Sequence, residues 1–138
     1  MAIKQVVFDL GGVLVEWNHQ RIVKMVTSDL SVQNSILEEI FFHPDWLELD
    51  KGSFPEKLAA EIISERSNME PSYVMGVFDR VRESFESIND TRKVLEVLVE
   101  SGIACFALSN MSVENYRYLF ERHSFFEFFS GQVISGHE

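Results

Sequence analysis

The chain has 138 residues, 46% of them apolar, and 22 Asp and Glu against 12 Lys and Arg, for a net charge of −10 and a pI near 4.8. That length and apolar content support a single domain with a real core and exclude a disordered chain. The acidic balance argues against nucleic-acid and anionic-membrane surfaces, which reward clustered positive charge, and the absence of a signal peptide, lipidation motif or long apolar span gives a soluble cytoplasmic protein as the expectation.

The first predicted element is the run from Ile3 to Phe8, followed by Asp9, Leu10, Gly11 and Gly12. Val6, Val7 and Phe8 are β-branched or aromatic and suit a strand covered on both faces, while the two glycines allow a sharp turn and close approach to a bound group. The strand therefore delivers Asp9 into a tight turn at its carboxyl end, where open α/β sheets bind ligands.

A long helical stretch follows before a second strand. Segments 20–27, 32–42, 55–66 and 71–84 carry apolar residues at helical spacing, as in Leu58, Ile62 and Ile63, or Val74, Val77, Phe78 and Val81. Ser31 and Ser53 are the expected caps of the second and third helices, Ser53 with Glu56 as a capping box, and Pro55 and Pro71 suit first-turn positions.

After Asn89 and Asp90 the pattern becomes a cleaner α/β unit: a helix over 91–100, ended by Ser101 and Gly102, then a second apolar strand from Ile103 to Leu108. The single Cys105 lies within that strand, so an intramolecular disulfide is excluded and a buried structural thiol is expected. A helix over 113–122 leads through Phe125, Phe126, Phe128 and Phe129 to a third short strand, Gln132 to Ile134. Phe120 and these four phenylalanines are expected as core beneath that strand, with part of the row exposed in a truncated chain. Helices between such strands imply parallel pairing with right-handed crossovers. The fold class is thus α/β, a Rossmann-like parallel sheet core, 1–15 and 90–138, with an inserted α-helical cap over 16–89.

Asp9 and the pair Ser109-Asn110 then stand at the carboxyl ends of two neighbouring strands. Alone, each motif has a structural alternative, since Asp before two glycines is a common turn and Ser-Asn after a strand a common N-cap. Their joint placement favours chemistry: Asp9 attacks phosphorus or carbon to form an aspartyl ester, while the N–H groups of Leu10, Gly11 and Gly12 and the hydroxyl of Ser109, with Asn110, hold phosphate oxygens. Mg²⁺ would offset the charge of carboxylate meeting phosphate, on oxygen ligands such as Asp9 and a nearby carbonyl, that of Gly11. His19, His43, His123 and His137 have no metal-site spacing and are expected at surfaces or caps. Trp17 is expected to pack at the junction of core and cap.

Phe8-Asp9-Leu10-Gly11-Gly12-Val13-Leu14 resembles the first motif of the haloacid dehalogenase-like hydrolase superfamily, and Ala107-Leu108-Ser109-Asn110 resembles its second. The segment between them, including Trp46 to Ser53, is similar to the helical cap of its phosphatase and dehalogenase members. The resemblance implies an Asp9 nucleophile, Mg²⁺ in phosphatases, and a small phosphorylated metabolite as substrate. A haloacid dehalogenase, with Asp9 attacking carbon and no metal, is the alternative enzyme; a non-catalytic remnant that binds a partner or itself is the third expectation.

Two departures stand beside the match. Many phosphatase members carry a second Asp, the general acid and base, where this chain has Gly11. The family's Lys and later acidic motif belong to segments after the third strand, whereas this sequence has no Lys after Lys93. The chain is therefore expected to be the N-terminal part of such a hydrolase, truncated or a natural short form, with its catalytic equipment and its sheet incomplete at the C-terminus. Ile3 to Phe8 would then form an open edge able to pair with another chain.

Overall fold

The computed structural model describes residues 2–137, excluding the side chain of His137. Three parallel strands, β1 (Gln5–Phe8), β2 (Ala104–Ser109) and β3 (Gly131–Ile134), form one sheet in the order β1-β2-β3. Between β1 and β2 run α1 (His19–Val26), α2 (Leu30–Ile36) with a π-helical turn (Leu37–Phe41), α3 (Pro44–Lys51), α4 (Glu56–Ser67), α5 (Pro71–Glu83) and α6 (Asn89–Glu100); α7 (Val113–Arg122) connects β2 to β3. This is the Rossmann-like α/β arrangement expected. The segments entering and leaving the helical insertion lie side by side, Ile88 N donating to Leu14 O and Glu16 N to Glu86 O, both at 2.8 Å.

Register fixes which strand residues share a face. Val6, Phe8, Cys105, Ala107 and Ser109 face the helices, with Ile134 opposite Ser109, and the last five of these six are buried. Among the described residues β1 is an edge of the sheet, as expected, but the expectation of a strand covered on both faces is corrected: Val7 (59% exposed), Leu108 (56%) and Val133 (48%) share a face that the described residues leave largely open. Alternation of side chains across the strand makes this a period-two pattern that a continuous apolar run conceals. Phe125 and Phe126 are buried as expected, but Phe120 is exposed because it lies on the outer side of α7.

Several helix boundaries differ from the expected ones. Asp29, not Ser31, caps α2, its carboxylate accepting from Ser31 N and Val32 N. Ser53 forms no capping box; its hydroxyl donates to Glu48 at 2.6 Å, and Pro55 itself occupies the N-cap of α4. Pro71 does start α5. The eight-residue α3 has no counterpart in the sequence reading: its Nδ1 cap comes from His43, which accepts from Asp45 N, and Gly52 ends it with φ +82°. His43 thus caps a helix, as expected, whereas His19 departs from that expectation and packs its ring against Trp17, Phe41 and Phe42.

Candidate active site

Because β1 and β2 are parallel, their carboxyl ends open on the same side, and the structure brings Asp9, Gly11, Ser109 and Asn110 into one cleft of about 360 Å³. Leu10 N donates to Asp9 Oδ1 at 2.8 Å, which holds the carboxylate in place while the side of the residue remains exposed to the cleft. Ser109 is buried at the end of β2, and Asn110 follows it at the rim.

The expected backbone cradle narrows to one residue. Leu10 N is spent on Asp9, and Gly12 N donates to Val15 O at 2.7 Å, so neither N–H is available to a phosphate. Leu10 is fully buried and its carbonyl accepts from Val13, Leu14 and Val15. The bridge between Gly11 and Val15 uses Val15 N to Leu10 O and Gly12 N to Val15 O, leaving the N–H and C=O of Gly11 itself outside it. Gly12 takes φ +81°, a left-handed conformation that glycine adopts without steric cost.

The opposite wall is supplied by the helical insertion: Trp17, His19, Phe41, Trp46, Leu47, Asp50 and Phe85. Trp17 and Trp46 stack with ring centroids 5.8 Å apart, and Phe41 meets Trp46 edge-on at 5.0 Å. Trp17 thus packs against the rings of Phe41 and Trp46 and lines the cleft. Burial lowers the pKa of His19, which leaves it uncharged at neutral pH. Burial also pushes the Asp50 carboxyl up to about 7.

Two residues that the sequence did not single out complete the cleft. Asp50 is carried there by α3, and Asn115 by the first turn of α7, whose N-cap Ser112 accepts from Asn115 N. Arg82 Nη1 donates to Asn115 Oδ1 at 3.3 Å and to Glu56 Oε2 at 2.6 Å, and its Nη2 donates to Asp79 at 2.7 Å. With its oxygen engaged, Asn115 has its amide N–H groups left to offer the cleft. Burial, only partly offset by Arg82, holds Glu56 above its ordinary range; Arg82 is raised, its own burial being outweighed by Glu56 and Asp79.

Among the described residues no group of three His, Cys, Asp or Glu is placed to hold a metal ion. The donors near the turn, the Asp9 carboxylate and the Gly11 carbonyl, are hard oxygens, and Mg²⁺ is commonly held by one or two carboxylates with water and phosphate completing its shell. The residues present therefore fit Mg²⁺ in kind. Among the described residues no Lys or Arg lines the cleft, and no helix is long and apolar enough to cross a membrane.

No protein-family model matches this chain, and no curated protein does. Solved structures do. A HAD family enzyme from Bacteroides thetaiotaomicron, in complex with magnesium and inorganic phosphate, superposes with a TM-score of 0.73 at 18% identity over 99% of this chain and 70% of its own. L-2-haloacid dehalogenase from Xanthobacter autotrophicus, with chloropropionic acid covalently bound, does so with a TM-score of 0.62 at 16% identity, over 96% of this chain and 57% of its own. The chain has the haloacid dehalogenase-like hydrolase fold.

Proposed function

We propose that this protein is a hydrolase of phosphate monoesters that works through an aspartyl-phosphate on Asp9 with Mg²⁺ as cofactor. The observation that carries this is the convergence of Asp9, Gly11, Ser109 and Asn110 in one cleft at adjacent parallel strand ends. The Bacteroides enzyme of the same fold, bound to magnesium and phosphate, supports the choice of ligand. Asp9 attacks phosphorus through the oxygen not held by Leu10 N, the ester P–O bond breaks, and the leaving oxygen takes a proton from water. Water then attacks the phosphorus of the aspartyl-phosphate, releasing phosphate and restoring the carboxylate. Ser109, Asn110, Asn115 and the Gly11 N–H hold the phosphoryl oxygens. Asp9 and the Gly11 carbonyl would hold Mg²⁺, which supplies charge neutralisation when bound.

Asp9→Asn is expected to abolish turnover of phosphate monoesters, with the circular-dichroism spectrum unchanged. Retained phosphate release by that variant would remove Asp9 from the nucleophile's role. Chloride release from 2-chloropropionate, assayed alongside, tests the alternative that Asp9 attacks carbon, as in the dehalogenase of the same fold.

The open sheet supports a second proposal, that this polypeptide self-associates. Among the described residues β1 pairs with β2 alone, and an edge carrying unpaired N–H and C=O groups beside exposed Val7, Leu108 and Val133 is a template for another chain. Sedimentation at micromolar concentration is expected to show dimers or larger species, and Val7→Lys to shift them toward monomer. A parent chain that sediments as a monomer, with the amides of Val6 to Phe8 exchanging freely, would refute it.

A further inference from the structure

Asp50 is the one carboxylate on the insertion side of the cleft, and its side chain has no hydrogen-bond or ion-pair partner among the described residues. Its neighbour Lys51 is turned to Glu48 instead, at 3.1 Å in solvent. The helix bearing Asp50 is pinned to the core at that point. Ser135 Oγ donates to the Asp50 main-chain oxygen and accepts from Met111 N at 2.9 Å. Gly52 sits so close to the core that a Cβ there would lie 2.9 Å from Gly136 O. The main chain at Asp50 is therefore fixed against the core, and its side chain lines the cleft.

A half-buried carboxyl without a protein partner is unfavourable unless a ligand meets it. The cleft holds two carboxylates, Asp9 and Asp50, with no Lys or Arg in its lining and His19 uncharged. A phosphate monoester adds further negative charge. A cation at Asp9 addresses one end of the cleft and leaves Asp50 facing an anion. A neutral polyol leaving group would give Asp50 hydrogen bonds but no compensating charge, whereas an ammonium gives both. The rings of Trp17, Phe41, Trp46 and Phe85 add walls that favour a desolvated cation over a hydrated anion. The volume, about 360 Å³, suits a small ligand.

Building on the phosphatase proposal, we infer that the substrate is a small zwitterionic phosphate monoester whose leaving group carries an ammonium, with Asp50 as the counter-ion of that ammonium. Both tryptophans of the chain, Trp17 and Trp46, line the cleft, so intrinsic fluorescence reports on it directly. The probes are ethanolamine phosphate, its isostere propyl phosphate, in which a methyl group replaces the ammonium, and free ethanolamine, titrated into the purified chain with Mg²⁺ and checked by calorimetry.

The parent chain is expected to bind ethanolamine phosphate at least tenfold more tightly than propyl phosphate. Asp50→Asn should bring that ratio to about one, and Asp50→Glu should retain part of it. Equal affinities in the parent, or a preference unchanged in Asp50→Asn, would overturn the inference. The two proposals fail separately. If propyl phosphate binds with no ammonium preference, the phosphate site stands and the counter-ion role falls. If free ethanolamine binds the parent but not Asp50→Asn while propyl phosphate fails to bind, the counter-ion role stands and the phosphatase proposal falls. If no probe binds, both fall.

Discussion

Asp50→Asn is expected to make the protein more stable at neutral and alkaline pH. Burial raises the Asp50 pKa from 3.8 to about 7 in the folded chain. Between those values the folded state keeps a proton that the unfolded state has released, so stability falls as pH rises from about 4 to about 7 and stays reduced above. At about 1.4 kcal/mol per unit, the upper bound on the loss is about 4 kcal/mol. The other titratable groups at the cleft are Asp9 and His19. On the same helix, Glu48 is paired with Lys51, and Asp45 with Arg66. Urea unfolding from pH 4 to pH 8 should show parent and variant converging at the acid end and separating to about 2–4 kcal/mol at the alkaline end. A gap independent of pH would mean that Asp50 carries no such penalty. Ethanolamine phosphate should narrow the gap by stabilising the parent through binding, RT ln(1 + [L]/Kd), with a smaller effect on the variant.

The sequence disclosed the strand side of the cleft and hid the insertion side. Asp9 and Ser109 were legible because each follows an apolar β-branched or aromatic run and precedes a turn, a local pattern that also fixes position in a parallel sheet. Asp50 offered no such signal. It lies in an eight-residue helix whose mixed apolar and acidic residues have weak periodicity, although His43-Pro44 at its start and Gly52 at its end were punctuation that could have marked it. Asn115 is set by Arg82, 33 residues away in sequence, and such pairing has no local trace. Ser53 shows the opposite failure. Its spacing to Glu56 matches a capping box, yet Glu56 turns inward to Arg82, and a buried ion pair outcompetes the cap. The exposed face of β1 was concealed because a run of apolar residues does not tell whether one or both faces are covered.

The buried pair itself yields the other large expected effect. Arg82→Met removes the guanidinium that joins α4, α5 and α7, and leaves Glu56, only 6% exposed in its side chain, without its strongest partner. Breaking one half of such a pair costs about 3–5 kcal/mol, because the remaining charge is buried and uncompensated. The loss should be greatest at neutral pH and shrink as pH falls. Burial already raises the Glu56 pKa, and without Arg82 it rises further, so acid supplies the proton that neutralises the stranded carboxylate. Glu56→Gln combined with Arg82→Met should therefore recover about 2 kcal/mol or more of the single-variant loss, measured by urea unfolding at pH 7. A double variant no more stable than Arg82→Met alone would place the cost in lost packing and not in the orphaned charge. The same substitution also frees Asn115 Oδ1, so the amide is no longer held with its N–H groups toward the cleft. Phosphate-monoester affinity of the folded fraction, read from Trp17 and Trp46 fluorescence, should fall in Arg82→Met and stay low in the double variant. Restoring the charge balance does not restore the hydrogen bond that orients Asn115, and the two readouts therefore separate what Arg82 does for the fold from what it does for the site.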